Sequence, residues 1–226
     1  LTANNITYAA LGDKLQYWQF FPGEENFGVI PVWGFGQVLE SKCDGIDVGE
    51  RFYGYYPMAS HLKVQGHNIT KHHFFDGAAH RQSLSQIYNQ YTRTSTDPLY
   101  TQKSEALQML LRPLFTTSFL LDDMLNEHEY FHAKTIVLTS ASSKTALGLA
   151  FLLHQRQKTS QQSIKIIGLT SSKNLEFVNG LGIYDEVFEY SQVNQLNPNQ
   201  ATVSVDFAGN SELMVALHEH LNSQLK

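Results

Sequence analysis

The chain of 226 residues has one cysteine, no long apolar run and no excess of positive charge. The single Cys43 excludes a disulfide within the chain and any zinc site built from several cysteines. No apolar stretch approaches the roughly 20 residues that a membrane-spanning helix needs. A net charge of −5 leaves no basic surface for a nucleic-acid backbone. We therefore expect a cytoplasmic protein that binds a small molecule and neither membrane nor nucleic acid.

The spacing of apolar residues changes along the chain and predicts a domain boundary near residue 132. Residues 1–60 alternate apolar and polar positions between glycines, which is typical of a small, strongly bent sheet or partial barrel. Residues 61–104 are polar and rich in histidine, which predicts a loop-rich insertion with a helix near 77–92. Residues 105–131 have helical spacing, and Pro113 is expected to break or start a helix there.

From residue 133 onward, strand and helix patterns alternate, which predicts a parallel sheet. The predicted elements are strand 135–140, helix 144–157, strand 164–170, helix 173–180, a short strand at 186–190 and strand 202–207. The domains are therefore expected to be 1–131, with the polar insertion at 61–104, and 132–226.

The most informative segment is the sequence TIVLTSASSKTALGLA at 135–150. A β-branched strand passes through small polar residues directly into an apolar helix, a layout that places backbone amides and a helix N-terminus against a phosphate. The glycine places of a dinucleotide-binding turn are occupied by Ser140, by Ser142 or Ser143, and by Ala146. Serine adopts a positive φ less easily than glycine. The alternative is a serine-capped helix without a ligand.

Lys144 and Thr145 in this turn also resemble the end of a phosphate-binding P-loop. A P-loop needs glycines that are absent here, and it needs a second strand that ends in a ligand for Mg²⁺. Asp206, after the strand at 202, is the one candidate for such a ligand. A nucleotide hydrolase is therefore the weaker alternative. A lysine at this place can also contact a pyrophosphate or point to solvent.

Four segments in the same order resemble the medium-chain dehydrogenase/reductase superfamily, in particular its zinc-free quinone and enoyl reductases. The segments are GFGQVLESKCDGIDVGERFYGY at 34–55, TIVLTSASSKTALGLAFLL at 135–153, IIGLTSSKNLEFVNGLGIYDEVFEY at 166–190 and VSVDFAG at 203–209. The stretches LTANNITYAALGD and LLRPLFTTSFLLDD resemble an uncharacterised branch of the superfamily without an assigned reaction.

This resemblance implies an α/β protein with a β-rich, GroES-like N-terminal domain followed by a truncated Rossmann-type domain. It also implies that the natural protein extends beyond Lys226, and the absence of an initial Met before Leu1 leads us to expect residues upstream as well.

The end of the second Rossmann-type strand bears on the choice of cofactor. A strand that binds NAD ends in a carboxylate for the ribose hydroxyls. Here the strand ends in Thr170, Ser171, Ser172 and Lys173, which suit the 2′-phosphate of NADP. Tyr190 lies where the family can cover the adenosine end. The alternative interpretation is that Ser171 or Ser172 caps the following helix.

The resemblance also implies candidates for catalysis, namely Tyr8 and Tyr17 as neutral donors to the substrate. A buried structural tyrosine is an equal alternative for either residue. Thr116, Thr117 and Ser118 are weaker candidates for the nicotinamide edge. Zinc is not expected. Trp33 stands near the place where zinc-dependent members of the superfamily have a glutamate ligand, and Cys43 has no Cys or His close to it in the sequence. For His67, His72 and His73, solvated side chains are the expectation rather than a metal site.

The sequence therefore predicts an NADP(H)-dependent, zinc-independent oxidoreductase that transfers hydride to a carbonyl or a conjugated alkene. The alternative is a non-catalytic nucleotide-binding sensor or scaffold that keeps the fold, since serine in place of glycine narrows the pyrophosphate cradle.

Overall fold

The structure is a computed structural model that describes residues 3–159 and 164–226. The chain divides into two compact units, Leu1–Leu110 and Leu111–Lys226. This division lies inside a long helix, earlier in the chain than the boundary predicted at 132. No helix in the described part of the chain is long and apolar enough to cross a membrane.

The first unit contains a five-stranded antiparallel sheet with the order β1-β2-β5-β4-β3. Its strands are β1 Pro31–Gln37, β2 Arg51–Pro57, β3 Gly66–His67, β4 His73–Asp76 and β5 Gln90–Arg93. Helix α1, Ala3–Ala10, precedes the sheet, although the sequence predicted only β structure there. The segment begins and ends with alanine and lacks glycine and proline, which favours the helix.

The segment 61–104, predicted as an insertion, supplies β3, β4 and β5 of this sheet. The helix predicted near 77–92 is wrong: two short 3₁₀ turns and β5 occupy that stretch. The buried Arg81 explains the difference, because its side chain forms an ion pair with Asp76 at 3.2 Å and donates to the carbonyl oxygen of Phe20 at 3.2 Å. These tertiary contacts fix the backbone of this segment in a conformation that the spacing of its apolar residues does not predict.

An aromatic cluster fills one part of the first unit. Phe20 and Tyr55 are buried at its centre, and Trp33 and Tyr88 pack against them. The Trp33 ring lies 5.2 Å from the Tyr55 ring and stacks on Tyr53 at 5.5 Å, measured between ring centroids.

Helix α2, Glu105–Glu127, continues through Pro113, so the prediction that Pro113 breaks or starts a helix is wrong. A proline in a helix removes one hydrogen-bond donor and crowds the preceding turn. The rest of this 23-residue helix contributes the remaining hydrogen bonds, and its C-terminal half packs through Leu125 into the core of the second unit.

The second unit is a four-stranded parallel sheet with the order β8-β7-β6-β9. Its elements are β6 Thr135–Leu138, α3 Lys144–Thr159, β7 Lys165–Thr170, α4 Leu175–Gly180, β8 Glu186–Glu189, β9 Thr202–Val205 and α5 Ser211–Leu221. Strands β6 and β7 pair in parallel, with Ile136 opposite Ile166, which confirms the predicted neighbours. The predicted fold class, a β-rich domain followed by a Rossmann-type sheet, is confirmed.

Apolar residues cover both faces of the parallel sheet. One face packs Ile136 and Leu138 against Leu149 and Leu153 of α3. The other face packs Val137 of β6 against α5. The strand order reverses at β6, since β7 and β8 follow on one side and β9 on the other. In such sheets a ligand binds beyond the carboxyl ends of the strands at the point of reversal.

Candidate dinucleotide site

The turn after β6 begins with a residue in the left-handed region, Ser140, with φ of 48°. The first glycine of a dinucleotide fingerprint serves a tight turn of this kind. Serine adopts this conformation here although it has a Cβ, and the Ser143 amide donates to the Ser140 carbonyl oxygen at 2.7 Å to close the turn. The turn is therefore tight and closed by a hydrogen bond, with serine where the fingerprint has its first glycine.

The remaining small residues allow the turn to pack closely on the sheet. Ala146, at the third glycine place, is fully buried. Gly168 of β7 faces Ala141, and a Cβ added at Gly168 would lie 2.9 Å from the Ala141 Cβ. The Tyr184 hydroxyl donates to the Ala141 carbonyl oxygen at 2.9 Å and holds the turn against β7.

The serines of the turn have structural partners. The Ser143 hydroxyl accepts from the Ala146 amide at 3.3 Å and caps α3, as the serine-cap alternative predicted. The Ser142 hydroxyl accepts from the Asn174 side chain at 3.0 Å, which joins the turn after β6 to the turn after β7. The amides of Lys144 and Thr145 lie in the first turn of α3, where no intrahelical acceptor exists. The exposed Lys144 side chain has no ion-pair partner among the described residues.

The last residue of β7 and the turn after it contain the four residues predicted to recognise a phosphate. Ser171 is the N-cap of a short 3₁₀ turn, but its side chain makes no capping bond, and Ser172 and Lys173 are exposed. The predicted alternative of a side-chain cap by Ser171 is therefore not observed. The Thr170 hydroxyl is buried and has no hydrogen-bond partner among the described residues. This end of β7 carries hydroxyls and one cation, and no carboxylate.

Asp206 lies directly after β9, across the strand-order reversal from Thr139. The Thr139 hydroxyl donates to the Asp206 carboxylate at 2.5 Å, and the amides of Ala208 and Gly209 donate to the same carboxylate at 2.9 and 3.2 Å. The carboxylate thereby shapes the turn after β9. This arrangement gives Asp206 a structural role at the edge of the site.

Tyr190 follows β8 and packs, partly buried, against the core that includes α5. It lies beyond the carboxyl end of β8, the strand that neighbours β7. The structure therefore brings the turns after β6 and β7 into direct contact and places Tyr190 and Asp206 at the ends of the outer strands.

Tyr8 and Tyr17 lie in the aromatic cluster of the first unit, with ring centroids 4.7 Å apart. The Tyr8 hydroxyl accepts from Trp33 Nε1 at 3.0 Å, and burial raises the pKa of Tyr8 to about 12. The Tyr17 hydroxyl lies 3.4 Å from the Tyr88 hydroxyl, and either of the two can donate the hydrogen bond between them. Tyr8 is therefore a neutral hydroxyl at ordinary pH, and its own proton has no acceptor among the described residues.

The three hydroxyl residues predicted on the helix before β6 lie in the middle of α2. Thr116 and Thr117 donate to the carbonyl oxygens of Arg112 and Pro113, at 2.8 and 3.3 Å. Ser118 is fully buried and donates to the Thr145 carbonyl oxygen at 2.8 Å. Ser118 thus attaches α2 to the first turn of α3, whereas Thr117 is exposed and bonded within its own helix.

No cluster of three or more His, Cys, Asp or Glu side chains placed to hold a metal occurs among residues 3–159 and 164–226. Glu50, directly before β2, forms an ion pair with Arg93. Cys43 is a free thiol, partly buried beside Ile46.

Three residues that organise the site were not predicted: Thr139, Asn174 and Tyr184. Each makes its contact with a residue distant in sequence, as in the Asn174 bond to Ser142. One signal was available in the sequence, since Thr139 ends the β-branched run immediately before Ser140.

Similar folds occur among solved oxidoreductases. The yhdH oxidoreductase from Salmonella enterica, solved with NADP, is 12% identical with a TM-score of 0.48, over 88% of this chain and 56% of that one. The quinone oxidoreductase from Coxiella burnetii is 12% identical with a TM-score of 0.46, over 98% and 68%. The Bacillus subtilis protein yhfP, solved with NAD, is 14% identical with a TM-score of 0.47, over 87% and 54%.

This chain thus spans little more than half the length of the first of these proteins. The first two of these solved structures are named as oxidoreductases. A search of curated proteins finds no match. The model of one family, described as "Protein of unknown function (DUF2855)", matches residues 1–226, and the chain belongs to that family.

Proposed function

We propose that this protein is an NADP(H)-dependent, zinc-independent oxidoreductase that transfers hydride to a carbonyl or a conjugated alkene. One observation carries the proposal. At the carboxyl edge of the parallel sheet, a turn whose first residue, Ser140, is left-handed leads into α3. The adjoining turn contains a lysine, no carboxylate, and two serines whose hydroxyls have no hydrogen-bond partner in the described part of the chain. A dinucleotide phosphate would meet amides and a cation at this edge.

The residues after β6 would hold the pyrophosphate. The amides of Lys144 and Thr145 have no intrahelical acceptor, and the Lys144 ammonium adds a positive charge beside them. Ala146 and Gly168 allow the turn to approach the sheet, as the glycines of the fingerprint do. The bound nicotinamide would supply the hydride.

The residues after β7 would select NADP over NAD. NAD is recognised by a carboxylate that accepts from both ribose hydroxyls, and the same carboxylate would repel a 2′-phosphate. Ser171 and Ser172 can donate hydrogen bonds to a phosphate, and Lys173 can neutralise its charge. The buried, unpartnered Thr170 hydroxyl is a further polar group at this strand end.

Tyr8 is the favoured donor to the substrate. Its raised pKa keeps the hydroxyl neutral, and its bond from Trp33 fixes the oxygen while leaving the proton available. Tyr17, which faces Tyr88, is the second candidate, and Thr117 remains a candidate for the nicotinamide edge. The substrate would be a small molecule.

A nucleotide-binding sensor or scaffold is the second candidate, and the bonds of the serines favour it. Ser142 and Ser143 both have intramolecular partners, and Asp206 closes onto Thr139 at the strand-order reversal. These bonds occupy side-chain groups that could otherwise contact a phosphate, and they stabilise the turn without a ligand.

Calorimetry with NADPH and NADH on matched lysine variants tests the choice of cofactor. Lys173→Ala should weaken NADPH binding about ten- to a hundredfold and NADH binding little, because one charge-assisted contact to the 2′-phosphate is lost. Lys144→Ala should weaken both cofactors alike, since both have the pyrophosphate. Lys158→Ala, in the last turn of α3, is the control and should change neither affinity.

Equal losses for both cofactors in Lys173→Ala would contradict the 2′-phosphate assignment. Failure of the unaltered protein to bind either cofactor would contradict the proposed function as a whole. Binding without turnover of any quinone or enone in a panel would favour the sensor.

A further inference from the structure

An apolar groove runs between α2 and α3 of the second unit. Its volume is about 360 Å³, within the range of small-molecule sites. It is lined by Leu111, Leu114, Phe115, Lys144, Leu147, Gly148 and Phe151. The rings of Phe115 and Phe151 are nearly half exposed, at 41% and 46%. Two large aromatic side chains in one apolar groove present surface that a ligand can remove from water.

Gly148 allows α3 to pack closely against α2 where it lines the groove. A Cβ at Gly148 would lie 2.6 Å from the Ser118 Oγ and 3.4 Å from the Phe115 ring. The Ser118 hydroxyl donates to the Thr145 carbonyl oxygen and fixes the two helices at this level. The absence of a side chain at Gly148 therefore lets the two helices approach at this level, and the Ser118 hydrogen bond holds the two walls of the groove together.

Lys144 is the one charged residue that lines the groove in the described part of the chain. Its ammonium has no ion-pair partner there, and it stands at the first residue of α3, where the helix dipole also favours an anion. The remaining lining residues are apolar. The groove therefore has one positive end and a long apolar wall.

We infer that the groove binds an amphipathic anion: an unbranched acyl chain whose carboxylate pairs with Lys144. The chain lies along Leu147, Phe115 and Phe151, and its methylenes replace water on the two exposed rings. This site does not depend on the proposed function. Lys144 serves both, so a carboxylate in the groove would compete with a dinucleotide pyrophosphate.

Direct titration without nucleotide tests the groove. The ligands are octanoate, decanoate and dodecanoate, each below its micelle-forming concentration. Affinity should rise about fourfold per added methylene, which corresponds to about 0.8 kcal/mol for each CH₂ removed from water. An alkyltrimethylammonium of equal length should bind at least about tenfold more weakly, because it cannot pair with Lys144.

Matched variants localise the binding. Phe115→Gln and Phe151→Gln should each weaken decanoate binding about tenfold, because each removes apolar wall. Phe177→Gln is the control, since Phe177 is 53% exposed on α4, outside the groove, and it should leave the affinity unchanged. Lys144→Ala should weaken decanoate and leave decanol unaffected. Far-UV circular dichroism checks that each variant is folded.

The inference is overturned by absence of decanoate binding, by equal affinity for anionic and cationic chains, or by unchanged affinity in both groove variants. Because this titration contains no nucleotide, its result does not depend on cofactor binding. A negative result therefore leaves the proposed function unaffected. A different result would assign the groove to a protein partner and overturn the inference. In that case an amphipathic helical peptide would displace decanoate, and the affinity for fatty acids would not depend on their chain length.

Discussion

At the scale of single residues, Ser140 lies in the candidate site and has an unfavourable backbone conformation. Its φ of 48° costs a residue with a Cβ about 1 kcal/mol, and such outliers cluster at functional sites. The surrounding bonds of Ser143 and Ser142 hold the turn in this shape. The position therefore tolerates small side chains and disfavours branched ones.

Replacement of Ser140 tests this conformation. Ser140→Gly should leave the free energy of unfolding within about 0.5 kcal/mol of the unaltered protein, because relief of strain is offset by the greater entropy of unfolded glycine. Ser140→Val should lower it by about 2 kcal/mol, because a β-branched residue adopts a positive φ least easily. Urea denaturation measures both. The exposed Ser172→Val is the control, and equal effects at the two positions would contradict the strained turn.

At the scale of elements, the connection from α2 to β6 contains a turn of left-handed helix. Four consecutive residues have positive φ: Glu129 (49°), Tyr130 (52°), Phe131 (51°) and His132 (58°). Each costs roughly 1–2 kcal/mol relative to the right-handed form. Burial of the Tyr130 ring with Leu125 and Ala133 offsets part of this cost, since that ring is packed in the core of the second unit.

A substitution series at His132, whose side chain is 85% exposed and lies 3.7 Å from the exposed Glu129 carboxylate, measures the strain without loss of a buried contact. His132→Gly should match or slightly exceed the stability of the unaltered protein, and His132→Ala should match it. His132→Pro should lose more than about 1 kcal/mol, because proline fixes φ near −65°. Thermal and urea unfolding report the order. A stable proline variant would show that the left-handed turn is not required.

At the scale of the whole molecule, burial raises the pKa of tyrosines in both units. Burial is the largest cause for seven of the eleven: Tyr8, Tyr55, Tyr56, Tyr88, Tyr91, Tyr130 and Tyr184. Their pKa values in the folded state lie above the ordinary value of 10.0, and Tyr8 and Tyr91 reach about 12. The unfolded chain therefore releases protons at lower pH than the folded chain.

The expected consequence is alkaline unfolding. The stabilisation from these groups is fully present below pH 10 and falls as the pH rises above 10. For Tyr8 and Tyr91 the loss continues until the pH reaches about 12. Tyrosinate absorbance should show most of the tyrosines ionising together with the loss of ellipticity. Ionisation of all eleven near pH 10 with the fold intact would contradict the buried cluster.

The sequence predicted the second unit well, because its strands are continuous β-branched runs separated by helical spacing. It predicted the first unit less well. β4 and β5 alternate buried and half-buried residues over only four positions each, and a buried Arg81–Asp76 pair fixes their connection. At the site, the small residues Ser140 and Ala146 indicated a tight turn between β6 and α3, whereas the role of Lys173 stays a prediction. The left-handed φ of Ser140 and the bond from Asn174 to Ser142 depend on tertiary packing, which local patterns do not contain.

The aromatic cluster determines what intrinsic fluorescence can report. Both tryptophans, Trp18 and Trp33, belong to the first unit, and residues 111–226 contain none. Tryptophan emission therefore follows the surroundings of the Trp18 and Trp33 rings, while α3 and α5 of the second unit contribute to far-UV ellipticity and not to emission. If the two signals change together during denaturation, the chain unfolds as one cooperative body; if they separate, each unit has its own transition.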